Sequence, residues 1–172
     1  MESLNLKRTM YLTEDEIRDN AKVILGFDEK DPDVKQGTGQ ITTFNQLGFK
    51  GVSDKPDGWY LPNDKQDIAI ILETKSEKED VFSEKHYAEL VKNIEIAALQ
   101  YKRVVGILYN GTDVRVIKYI KGSEQYEEIA DVAKTLQNKR YYIALFKENR
   151  INKQLIYSLT KKINDCLHVQ FG

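Results

Sequence analysis

Asp57, Glu73 and Lys75 are the residues of this chain whose types and spacing can do chemistry together. They lie in the stretch PDGWYLPNDKQDIAIILETK, from Pro56 to Lys75. Asp57 stands at the start of an expected strand, and Glu73 and Lys75 stand two residues apart at the end of a second. Strand side chains alternate between faces, so Glu73 and Lys75 point the same way. If the two strands pair around Pro62-Asn63-Asp64, two carboxylates and an ammonium converge. Such a cluster can hold a divalent cation and activate a water for phosphodiester cleavage. An isolated ExK carries little weight in a chain with 26 Lys and Arg and 27 Asp and Glu. Pro-Asp-Gly is, besides, a favoured turn sequence. The weight comes from context. A strand starts at Pro-Asp, Glu73 follows sixteen residues after Asp57, an apolar strand ends in Glu-Thr-Lys, and a helix comes next.

The elements that must position these residues are legible from periodicity. Residues 13–25 read as a helix with Ile17, Ala21 and Ile24 on one face, and Thr13 with Glu16 forms a capping-box pair. The polar stretch 29–39 reads as loop, and 40–49, with its Ile, Thr and Phe, as a strand. A short strand is expected over 57–61. The run IAIIL within 67–74 predicts a central strand buried on both faces. Residues 83–101 give the strongest helical pattern, with Tyr87, Leu90, Val91, Ile94, Ala97, Ala98 and Tyr101 at helical spacing. Residues 103–109 and 113–120 predict a hairpin around Asn110-Gly111. Residues 127–137 read as helix, and 141–146 as either strand or helix. The last stretch, 152–168, carries Leu155, Ile156, Leu159, Ile163 and Leu167 on one helical face.

At 172 residues the chain is long enough for one domain with a substantial core. A net charge of −1 removes the broad basic excess of a stand-alone DNA binder. Any affinity for nucleic acid must come from local patches or from another domain or subunit. The single cysteine, Cys166, forms no internal disulfide, which fits a reducing cytoplasmic setting. The longest apolar run, Ile68 to Leu72, is far too short to span a bilayer. His86 and His168 lack a second His or Cys at zinc spacing and read as surface or capping residues. Gly37-Thr38-Gly39 is not followed by a helical pattern and is no phosphate-binding loop. Trp59 reads as a core or rim aromatic.

With Pro-Asp before one strand and Glu-x-Lys ending the next, residues 13–118 resemble the PD-(D/E)xK nuclease superfamily. Within it, ETKSEKED followed by a long helix and RVVGILYNGTDVRVIKY is similar to the N-terminal endonuclease domains of restriction-modification enzymes. These are nuclease–methyltransferase fusions or type I motor subunits. The resemblance implies a restriction-endonuclease-like α/β fold, a central mixed sheet flanked by helices. It implies a Mg²⁺-dependent endonuclease, with Mn²⁺ as a substitute, acting on double-stranded DNA. Asp57 and Glu73 would hold the ion, the Thr74 carbonyl would add an oxygen, and Lys75 would assist the attacking water or the phosphate. Oxygen ligands of this kind suit Mg²⁺. Methyltransferase, specificity or motor domains or subunits are the implied partners, with transient pairing of two nuclease copies for double-strand cleavage. Residues 1–150 would form the nuclease-like domain. Residues 151–172 would form an amphipathic helix, packed back on it or leading to a further domain.

Accessory positions follow from the same resemblance. Relatives often carry a glutamate on the first helix that faces the metal; Glu16 is the first candidate, with Glu14 behind it. Many carry a glutamine on the helix after ExK with a tyrosine four residues on. Here Gln100 is followed at once by Tyr101 and position 104 is Val, so Asn93 stands as the other polar candidate. Two further readings stay open: a non-catalytic assembly or DNA-positioning domain of the same fold, and a structure-specific repair or recombination nuclease.

Overall fold

The computed structural model describes residues 11–123 and 125–147. Thr13 caps helix α1, Glu14–Leu25: its hydroxyl accepts from Glu16 N–H and the Glu16 carboxylate accepts from Thr13 N–H, completing the capping box. The helix ends at Gly26, in the left-handed region at φ 79. Its buried stripe is Ile17, Ala21 and Leu25, with Arg18 beside it. Ile24, expected on that face, is 39 % exposed; Leu25 sits at the i+4 step from Ala21 and is fully buried in its place.

Six strands follow in one sheet, ordered β1 to β6 as in the chain: Val34–Thr38, Gly58–Pro62, Ala69–Thr74, Arg103–Tyr109, Val114–Ile120 and Tyr126–Glu128. Neighbours are antiparallel except β3 and β4, which are parallel. A parallel pair needs a crossover, and helix α2, Glu84–Ala97, supplies it. The architecture is α/β, a mixed sheet with helices packed against it. Strand β3 is buried at every position, as its unbroken apolar run predicts.

The faces sort by alternation. Ala69 and Ile71 of β3, Val104 and Leu108 of β4, and Leu90, Ile94 and Ala97 of α2 share one apolar cluster. Gly106 sits between Val104 and Leu108, and a Cβ there would stand 2.5 Å from Ile94 Cδ1 and 3.0 Å from Leu90 Cδ1. The glycine is what lets α2 lie down on the sheet. Gly106→Val is expected to cost about 2–3 kcal/mol through overpacking, read as a lower urea midpoint. An unchanged midpoint would mean that Ile94 and Leu90 move aside freely.

Three sequence expectations are corrected. Residues 40–49 form turns instead of a strand, closed by hydrogen bonds such as Phe44 N–H to Asp54 C=O at 2.8 Å. The first strand falls instead in the polar stretch read as loop, at the sheet edge, where ladder bonds to β2 outweigh its weak apolar pattern. Residues 127–137 are not helical; Tyr126–Glu128 adds a short edge strand to β5. The β4–β5 turn falls where expected, with Gly111 in the left-handed region at φ 91. Asn110 works through its side chain, accepting from the N–H groups of Thr112 and Asp113.

The chain divides into two compact units after Lys139. In the second unit the described residues, 140–147, are helical, which decides the strand-or-helix alternative for 141–146. Residues 151–172, with Cys166 and His168, lie outside the described residues. No helix among the described residues is long and apolar enough to cross a membrane.

Candidate functional site

The site lies where β3 and β4 end side by side, at the Thr74–Tyr109 pair. Carboxyl ends of parallel strands are the usual place for ligands in open α/β sheets. Gly58 pairs with Leu72 in the antiparallel register of β2 and β3. One step further along, Asp57 faces Glu73, and the two carboxyls are close enough to share a proton. Asp57 Oδ2 accepts from Thr74 N–H at 2.8 Å and from its hydroxyl at 3.3 Å. The register thus brings together residues sixteen apart in sequence.

Helix α2 then fastens both motif side chains. Asn93 Nδ2 donates to Glu73 Oε1. Lys75 Nζ donates to Glu89 Oε2 at 2.5 Å. Two residues along a strand span about 6.7 Å, and four along a helix rise about 6 Å. The i,i+2 pair on β3 and its continuation therefore matches the i,i+4 pair on a helix running the other way. Behind Glu89 sits His86, its Nδ1 3.7 Å from Glu89 Oε2 and its Nε2 3.0 Å from Glu79 Oε2. His86 is buried, not a surface residue.

The electrostatics follow from burial. Glu73 is 6 % exposed. Burial, then repulsion by Asp57, pushes its carboxyl up to about 9, against the opposing Asn93 hydrogen bond and Lys75 charge. In the free protein the pair thus carries a proton at neutral pH. A cation placed between the two carboxyls would displace it. For Lys75, burial pulls the ammonium down, but the Glu89 hydrogen bond and charge, with Glu73 and Glu14, outweigh this and raise it. Burial raises Glu89, and the Lys75 hydrogen bond and charge reverse that to a net lowering.

The first helix contributes differently from its sequence reading. Glu16 is spent on the capping box, accepting from the Thr13 N–H at 3.1 Å and hydroxyl at 3.0 Å. Glu14 is the carboxylate in electrostatic reach of the site. Its pKa is raised by burial and by Asp57, while Lys75 and Arg18 lower it. Gln100 is not at the site. It donates to Gly48 C=O at 2.7 Å and lines a cleft with Lys65, Tyr101 and Lys121. Seven residues past Asn93, it stands about 10 Å further along the helix direction, at the opposite end of the strands. Trp59 is 7 % exposed and belongs to the core cluster.

Glu89 and Arg18 were missed by sequence reasoning. The signal for Glu89 was its place four residues before Asn93 on one helical face. The signal for Arg18 was a charge inside an apolar stripe, next to Ile17. Among the described residues no three or more His, Cys, Asp or Glu side chains cluster as a ready metal cage. A carboxylate pair still suits Mg²⁺, which keeps several waters and takes one or two protein carboxylates.

Comparison with protein-family models, with curated proteins and with solved structures finds no match to this chain.

Proposed function

We propose that this chain is a divalent-cation-dependent nuclease domain that hydrolyses DNA phosphodiesters, the cleavage module of a restriction-modification enzyme. The observation that carries this reading is the convergence of Asp57, Glu73 and Lys75 at the ends of β2 and β3. A buried carboxyl facing a second carboxyl is a costly arrangement, and a bound cation relieves it. The resemblance to PD-(D/E)xK nucleases supplies the substrate class.

In this reading Asp57 and Glu73 would hold Mg²⁺, with the Thr74 carbonyl as a further oxygen. The ion would supply charge neutralisation of the phosphate and a water of lowered pKa. The chain's own residues do the rest. Thr74 fixes one oxygen of Asp57, and Asn93 fixes one oxygen of Glu73. Lys75 presents a fixed positive charge beside the pair, where negative charge develops on a phosphate under attack. Glu89 keeps that ammonium charged and in place. Glu14 and Glu89 add negative charge near the pair and Lys75. DNA held here therefore needs the cation, and cationic groups from a partner domain or subunit.

Glu89→Gln keeps the hydrogen-bonding shape and removes the charge. It is expected to lower kcat about tenfold while leaving KM within about twofold, because Lys75 loses its anchor. Equal kcat in variant and wild type would remove Glu89 from the account.

The reading is tested with supercoiled plasmid and Mn²⁺, with EDTA controls, comparing wild type with Lys75→Ala. Cutting by wild type alone supports it. Equal cutting by both sinks the assignment. Cutting by neither, in the presence of its methyltransferase, specificity or motor partners, would favour a non-catalytic domain of the same fold.

A further inference from the structure

Helix α1 brings a second side chain to the corner occupied by Glu14. Arg18 is 5 % exposed. Its Nη1 donates to Asp15 Oδ1 at 2.8 Å, an oxygen that also accepts from Gln40 Nε2 at 3.0 Å. The other edge of the guanidinium is different. Nε and Nη2 are buried and make no hydrogen bond among the described residues. Together these two nitrogens form the side-on fork that grips a carboxylate or phosphate through two parallel hydrogen bonds. Leaving such donors buried and unsatisfied is costly. Nε stands 3.9 Å from Asp57 Oδ1, within ion-pair range and short of a hydrogen bond. The opposite oxygen, Oδ2, is the one held by Thr74.

We propose that Arg18 is the positioning residue for Asp57. The Nε end of its unpaired fork lies beside Oδ1 while Thr74 holds Oδ2, so that the two together would fix the carboxylate plane. The guanidinium brings a positive charge to Asp57 from the side away from Thr74. This inference rests on the reading of Asp57 and Glu73 as a cation site.

The test turns on a sign. A positive charge this near the site opposes a divalent cation through Coulomb repulsion alone. If Arg18 were only a background charge, Arg18→Met would bind Mn²⁺ more tightly. If it positions Asp57, Arg18→Met binds more weakly, by about tenfold or more, as for other residues that orient metal ligands. Arg18→Lys keeps the charge and loses the fork, so it stays as weak as Arg18→Met. Titration calorimetry of Mn²⁺ into the full chain reads all three proteins, with thermal unfolding showing that each is folded. Unchanged or tighter binding by Arg18→Met, or full recovery in Arg18→Lys, overturns the proposal. A wild type that binds no Mn²⁺ overturns the cation site itself and the proposal with it. A second readout needs neither a metal nor a change at Arg18: the Arg18 Nε–H signal in an NMR spectrum. It is expected to shift and exchange faster in Asp57→Asn. A signal identical in both proteins would show that the fork does not engage Asp57.

Discussion

Lys75→Ala is expected to lower metal-dependent DNA cleavage about a thousandfold while leaving the protein folded. The size follows from the role: removing one preorganised charge or proton-transfer group at a reacting centre typically costs 10²- to 10⁴-fold. Lys75 is the one cation that Glu73, Glu14 and Glu89 share in the causes of their shifts. Its loss leaves three carboxylates without that compensation and weakens the hold on an anionic substrate. Initial rates on supercoiled plasmid give the effect directly, and Lys75→Met, which keeps most of the volume, separates charge from packing. A Lys75→Ala protein that cuts at the wild-type rate would remove this residue from the chemistry.

Glu73→Gln is expected to abolish cleavage and at the same time make the metal-free protein more stable at neutral pH. The sign is fixed by the direction of the shift. Glu73 is raised from 4.5 to about 9 on folding. Such a group favours the fold fully below its unfolded value, and that contribution is lost as pH rises toward about 9. Folding at pH 7 therefore requires proton uptake, a cost on the order of 3 kcal/mol. Gln has no such cost and keeps a carbonyl oxygen for Asn93. Thermal unfolding in EDTA, followed between pH 5 and 9, should show the wild type losing stability with rising pH and the variant losing less. Parallel pH profiles for the two proteins would contradict the assigned environment. The opposite movements of stability and activity are what a strained functional carboxylate should give.

The parts of this fold that were legible in the sequence are those whose local pattern and tertiary fate agree. The run at Ile68 to Leu72 reads as a buried strand and lies in and beside β3, and the apolar spacing of Leu90, Ile94 and Ala97 reads as a helix and lies in α2. Asn110-Gly111 marked the turn that joins β4 and β5. The misses came where tertiary pairing overrides weak local preference. Val34–Thr38 is a strand because β2 offers it a ladder, not because its side chains alternate. Residues 126–128 pair with β5 for the same reason. At the site, Asp57, Glu73 and Lys75 follow from alternation along neighbouring strands. Their supports, Asn93, Glu89 and Arg18, depend on how two helices lie over those strands, which periodicity alone does not fix. Glu16 and Glu14 show the limit well. Both sit in the first turn of α1, and only the capping box decides which is free to face the site.

Calorimetric titration of Mn²⁺ at pH 7, in two buffers of different ionisation enthalpy, reads whether Asp57 and Glu73 take a cation in exchange for a proton. The free protein keeps a proton on Glu73, whose carboxyl is held up to about 9. A cation entering between Asp57 and Glu73 must expel it. Mn²⁺ is expected to bind with release of about one proton per ion, and both binding and release are expected to be lost in Glu73→Gln and Asp57→Asn. No Mn²⁺ binding by the wild type, or binding that survives unchanged in both variants, would contradict a cation site at this pair.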